Sequence, residues 1–130
     1  MLMRVGKINR VLGRAMLLAA LAVFAQPATA QSLSASNKTK LLELSEILGA
    51  VHHLRALCEV DEAQTWRQSM IKLIETQDAP EWLADQMIKR FNTGYHREEA
   101  NYPACDAASQ RRAVRLANQG ARLARSLSRS

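Results

Sequence analysis

Six arginines and no acidic residue occupy the last twenty positions of the chain. Placed on a helix at about 100° per residue, Arg111, Arg115, Arg122, Arg125 and Arg129 fall within about 40° of one line. Arg112, near 100°, is the one that departs from it. Across the same helix lie Ala113, Leu116, Ala117, Gly120, Leu123, Ala124 and Leu127, a small apolar side suited to close packing. Guanidinium groups bind phosphate and carboxylate bidentately, so a stripe of five with no interleaved acid could hold an anionic partner. A face that is merely solvated, with its cations favoured near a helix C-terminus, gives the same pattern.

The histidines carry less. His52 and His53 are adjacent, point about 100° apart on a helix and do not share one ion comfortably. His52 lies at the edge of the apolar side and His53 points away from it. His96 accompanies Glu98 and Glu99, and no His-x-x-x-His spacing specifies zinc, so no metal site is assigned. Glu43 with Glu46, or Glu59 with Asp61 and Glu62, could supply an acid and a base, but such spacings are routine on solvated helices. No serine sits in a Gly-x-Ser-x-Gly elbow and no glycine-rich loop cradles phosphate, so no catalytic residue and no cofactor is assigned. Arg55 falls inside the apolar sector of its helix, and a buried arginine needs a paired acid; Glu59 at i+4 is the nearest. Arg67, beside Trp66, can stack or pair in the same way. Trp82 lies opposite its helix's inward face, either as a partner contact or folded back over the turn at Pro80.

Cys58 and Cys105 are the only cysteines, 47 positions apart. Without a Cys-x-x-Cys they do not suggest thioredoxin-type redox work. One intramolecular bridge, two free thiols or an intermolecular bridge are all open. In an oxidising compartment the intramolecular bridge is favoured, and closing a loop of that length contributes about 4 kcal/mol in the chain-entropy model.

The elements that must position these groups read as helices. Residues 31–37 are polar and small, a flexible leader, with Ser36 or Asn37 as N-cap of the first helix. Leu41, Leu44, Ile47, Leu48, Val51, Leu54 and Cys58 share a sector about 140° wide, which makes that helix amphipathic. Asp61 with Gln64 resembles a capping box for a second helix that carries Trp66, Met70, Leu73 and Ile74 on one side. Gln77 to Pro80 breaks the pattern, and Pro80 suits the first turn of a third helix with Leu83, Ala84, Met87, Ile88, Phe91 and Tyr95 inward. Asn92-Thr93-Gly94 weakens it near its end and Tyr102-Pro103 closes the connection. A fourth helix starts near Cys105 or Asp106 and runs to about Leu127. No segment alternates as a strand does. The fold expected is all-α, a compact bundle of about four helices over 38–130, with short connections making the first three antiparallel neighbours.

The first thirty residues divide into the parts of a signal peptide. Arg4, Lys7, Arg10 and Arg14 form a basic start, Ala15 to Phe24 an apolar run of ten residues, and Pro27 to Ala30 a small-residue cleavage site before Gln31. A membrane span needs about 20 apolar residues, so no stable span is expected after cleavage. Four of the 18 basic residues lie in this leader; of the net +6, only +2 remains after it, 14 bases against 12 acids. Bulk charge therefore does not argue for a nucleic-acid partner.

The stretches LSEILGAVHHLRALC at 44–58, WRQSM at 66–70, FNTGY at 91–95 and the Tyr102-x-x-Cys105 that follows resemble a family of small exported alphaproteobacterial proteins. That family, typical of rhizobia and their relatives, is classed as a domain of unknown function. The resemblance spans about residues 41 to 127. It implies that Cys58 and Cys105 belong to the family's pattern, and it implies no activity. The expectation is a periplasmic protein with a structural or interaction role, its partner an envelope protein or an anionic envelope polymer or lipid. The alternative is a small envelope-acting enzyme such as a cell-wall hydrolase, which convergence of His52, Arg55, Glu59 and His96 in one pocket would favour.

Overall fold

The computed structural model describes residues 33–62 and 64–129. The segment read as a signal peptide, residues 1–30, lies outside them. The described residues form four helices, α1 (Ala35–Cys58), α2 (Thr65–Thr76), α3 (Glu81–Asn101) and α4 (Ala107–Leu127), with a 3-10 turn at Val60–Glu62 and no strand.

Local chemistry sets most of these boundaries and corrects some expectations. Helix α1 is capped by Ser34, whose hydroxyl accepts from the Asn37 N–H at 3.1 Å. The cap thus precedes the expected Ser36 or Asn37, and residues 35–37 belong to the helix rather than to a leader. The extra turn adds backbone bonds such as Lys38 N–H to Ser34 O at 3.0 Å, which favours the earlier start. Asp61 does not cap α2; it sits in the 3-10 turn, and Gln64 precedes the helix without a side-chain cap bond. The cause is visible in Glu62, which Arg55 draws back onto α1. Asp78, at φ 46°, takes the left-handed conformation that a short polar residue tolerates, and Pro80 then opens α3. Helix α4 starts after Asp106, close to where it was expected, and Asp106 caps it, its carboxylate accepting from the Ser109 N–H at 2.8 Å while the Ser109 hydroxyl accepts from the Asp106 N–H at 3.0 Å.

Helix α1 is the hub, packed on by all three others. Between Leu41 and Leu54 its buried positions run right round its circumference. One core cluster gathers Leu41, Leu44, Met70, Leu83, Met87 and Leu127, and a second gathers Ile47, Ala50, Val51, Leu54, Ala113 and Leu116. Leu41 meets Leu83 and Met87 near one end, and His53 meets Tyr102 near the other, so α1 and α3 run in the same direction. Helices α2 and α4 run against them. Gly120 lies against Ile47 and Leu44, and Cys105 stands beside Cys58 at disulfide distance, their Cα atoms 5.2 Å apart.

The closest approach joins α1 to α3. A Cβ on Gly49 would lie 1.8 Å from the Phe91 carbonyl oxygen, and one on Gly94 would lie 1.9 Å from that of Glu46. Gly94 therefore does not weaken α3, which continues unbroken to Asn101; it lets two backbones touch. This contact rotates α3 from its expected face. Leu83, Met87, Gly94 and Glu98 are buried, whereas Ile88 is 46% exposed. It also buries His53, expected to point away: the ring is 6% exposed and its Nε2 lies 2.8 Å from the Tyr102 carbonyl oxygen, within hydrogen-bond range.

Candidate functional site

The arginine stripe is where its spacing puts it. Arg111, Arg115, Arg122 and Arg125 are exposed along α4, and Arg129 is exposed in the turn just after it. None of the five makes an ion pair among the described residues, and Arg129 donates to the Arg125 carbonyl at 3.2 Å. Other arginines are engaged. Arg90 and Arg97 both bind Glu46, the first at 2.9 Å. Arg55 donates to Glu62 at 2.9 and 3.1 Å and lies 3.6 Å from Glu59. It is partly exposed, not buried, and its main partner is Glu62 rather than the expected Glu59, because the 3-10 turn folds Glu62 back. Hydrogen bonding to Glu62, against a smaller burial effect, raises the Arg55 pKa, and the Glu62 carboxyl is held below its usual value mainly by Arg55.

Arg112 shows why it left the stripe. It donates to Glu98 at 2.9 and 3.1 Å, and Arg97 donates to the same carboxylate at 3.1 Å. Glu98 is 1% exposed. Burial pushes its carboxyl up, but the hydrogen bonds and charges of Arg112 and Arg97 outweigh that and hold it below the usual range. The bond to Glu98 likewise raises Arg112. Sequence reading placed Glu98 with His96 and Glu99; the structure separates it from both, since His96 Nδ1 pairs with Glu99 at 3.0 Å on the exposed side.

A cleft of about 510 Å³ opens between α2 and α3. Met70, Ile71 and Ile74 line it from α2, and Ile88, Phe91 and Tyr95 from α3. His52 closes it from α1, its ring centroid 5.6 Å from that of Phe91 and 5.5 Å from that of Tyr95. The His52 Nδ1 atom is buried without a hydrogen-bond partner. Burial, and then the charges of Arg67 and His53, hold the His52 pKa below the ordinary histidine value. Arg67 lines the cleft, exposed, with no ion pair among the described residues. The sequence does not reveal this cleft, because Ile88 falls on the inward face of its helix period and Ile71 outside that of α2, with nothing to show that the two helices leave a gap. Of the two expectations for Arg67, stacking or pairing, an ion pair is not formed among the described residues.

His52 and His96 line the cleft, but Arg55 and Glu59 stand outside it on the last turn of α1 and the residue after it. The four residues whose convergence would favour an enzyme are not brought together. Among the described residues no three His, Cys, Asp or Glu side chains gather as a metal site, and no helix is long and apolar enough to cross a membrane. Trp82 is half-exposed, with Lys38 Nζ 5.2 Å from its ring centroid, a cation–π contact with α1.

No curated protein and no solved structure matches the chain. One family, described as "Protein of unknown function (DUF2385)", matches residues 37–130, nearly the whole of the four-helix unit, and the chain belongs to that family.

Proposed function

We propose that this is an exported, non-enzymatic protein of the cell envelope that docks through the outer face of α4 onto anionic groups of that envelope. One observation carries the reading: Arg55, Arg90, Arg97 and Arg112 are each paired with a glutamate, while the aligned Arg111, Arg115, Arg122, Arg125 and Arg129 make no ion pair among the described residues. A row of unneutralised guanidinium groups on a rigid helix favours phosphate or carboxylate brought from outside. Val114, 56% exposed between Arg111 and Arg115, gives the same face an apolar contact. Export rests on the basic start, apolar run and small-residue site of residues 1–30, and a periplasmic location follows from it. An oxidising compartment agrees with the paired cysteines.

The test is co-sedimentation of the chain beginning at Gln31 with vesicles of phosphatidylglycerol and phosphatidylcholine. Binding should need the anionic lipid, weaken from low to moderate salt as the screening length shortens, and fall at least tenfold in Arg115→Glu with Arg122→Glu. Equal binding by the variant, or no dependence on salt, sinks a lipid role for the stripe.

A further inference from the structure

We propose that the cleft between α2 and α3 is a binding site for a single-chain amphiphile with one anionic head group, its head at Arg67 and His52 and its alkyl chain along Ile71, Ile74 and Ile88. This is separate from the α4 face and does not depend on it.

The cleft has the character of a ligand site. Small-molecule sites run to about 300–1,000 Å³ and are mostly apolar with a few placed polar groups; this one measures about 510 Å³. Its charged and ring-bearing polar groups, Arg67, His52, Tyr95 and His96, lie toward one end, with Asn92 between them and Ile88. Helix α2 runs against α3, so Arg67, near the start of α2, stands opposite Tyr95 and His96, late in α3. Ile74, late in α2, stands opposite Ile88, early in α3. The polar end belongs to the part of the bundle where Trp66 packs on the Val51–Leu54 cluster, and the apolar end to the part where Ile74 packs on the Leu41–Leu83 cluster. An occupant that fits this gradient is charged at one end and apolar along its length.

The sign of the charge follows from the same residues. Arg67 is a cation with no acid paired to it among the described residues, and the His52 ring beside it has a buried Nδ1 with nothing to bond. The Arg67 charge is one of the influences that disfavour a proton on His52, so the local field is positive. His96 is already held by Glu99, whose carboxylate is not part of the cleft lining. A carboxylate or phosphate head would neutralise Arg67 and accept from it, while the chain would cover apolar surface that is now wet: Ile71 is 53% and Ile88 46% exposed.

The test is isothermal titration of the full chain with sodium octanoate, decanoate and dodecanoate below their micellar concentrations, with decanol as the uncharged arm. The expected result is saturable one-to-one binding that tightens about fourfold per methylene, the equivalent of ~0.8 kcal/mol, until the cleft is filled. Arg67→Gln should weaken decanoate about tenfold and leave decanol unchanged. Ile71→Glu, at an exposed position that folding tolerates, should abolish binding of both. Arg115→Glu with Arg122→Glu should leave decanoate binding unchanged, which keeps this proposal distinguishable from docking through α4. Absence of saturable binding, affinity independent of chain length, or full binding by Arg67→Gln overturns it. So does loss of binding in the α4 variant.

Discussion

Glu98 keeps its charge in a place that water does not reach because two guanidinium groups close over it. A buried carboxylate is costly when unpaired, and Arg112 with Arg97 offsets that cost by donating three hydrogen bonds to its two oxygens. Removing Arg112 should therefore cost more than an exposed ion pair would. Arg112→Met, which keeps the stem, should lower the unfolding free energy by about 2 kcal/mol at pH 7, within the range for hydrogen bonds to charged groups. The pH dependence identifies the source. A carboxyl held below its usual value contributes stability that is whole above the ordinary carboxylate range and is lost as pH falls through the depressed folded value. In Arg112→Met the folded value moves up, because burial is then opposed by Arg97 alone. Urea melts from pH 7 to pH 3 should show the gap between variant and wild type narrowing in acid; a constant gap would place the effect elsewhere. His52, also held low, adds a loss that begins near the ordinary histidine value, but both forms share it and it cancels in the difference. Arg112's departure from the stripe is legible in the chain. Its partner is not, because Glu98 sits in a charged run and only the arrival of α4 decides which member of that run is buried.

Some helix breaks follow from punctuation that any chain displays: Pro80 and the Gln77–Asp78 break act as their chemistry predicts, although the caps of α1 and α2 do not. Gly94 does not, and the reason is physical. A glycine that loosens a helix and a glycine that admits a neighbouring backbone are the same residue in the same surroundings until the neighbour is known. Here Gly49 and Gly94 face each other's helices, each against a carbonyl oxygen that cannot rotate away. Alanine at either position gains about 1 kcal/mol of helix propensity but forces α1 and α3 apart. Gly49→Ala and Gly94→Ala should each destabilise the fold by about 3 kcal/mol or more in chemical denaturation. Gly120 provides the contrast. Its added Cβ would meet Ile47 Cγ2 at 3.2 Å and Leu44 Cδ1 at 3.5 Å, side-chain ends that can shift by tenths of an ångström. Gly120→Ala should stay within about 1 kcal/mol of wild type. Similar losses at all three glycines would mean that α1 and α3 are not in backbone contact. The cleft escapes sequence reading for a related reason: its walls come from α2 and α3 and its floor from α1, and the period of one helix, which assigns Ile88 inward, does not show how far its neighbour stands from it.

At the scale of the whole molecule the first and last helices are joined twice, through core packing and through Cys58 and Cys105. The chain reaches α4 only after passing through α2 and α3, so the cysteine pair closes a loop with 47 positions between its ends. Opening it leaves the folded contacts in place and gives the unfolded chain more freedom, a cost of about 4 kcal/mol in the chain-entropy model. A domain near this size is stable by about 5–15 kcal/mol in total, so the bridge accounts for a large share. The double variant Cys58→Ser with Cys105→Ser should still fold, because the two apolar clusters on α1 do not include either cysteine. Its melting temperature should fall by about 15–30 °C, on a scale of ~4–8 °C per kcal/mol for domains of this length. Mass spectrometry with and without reductant should show wild type gaining two hydrogens and the variant none. A fall of less than about 5 °C would show that packing of α4 on α1 holds the helix ends together without the bridge. Cys105 is exposed, so a reducing compartment would reach the bond and leave the protein to its packing alone. The stability of the fold, though not its formation, therefore depends on whether the bridge is kept oxidised.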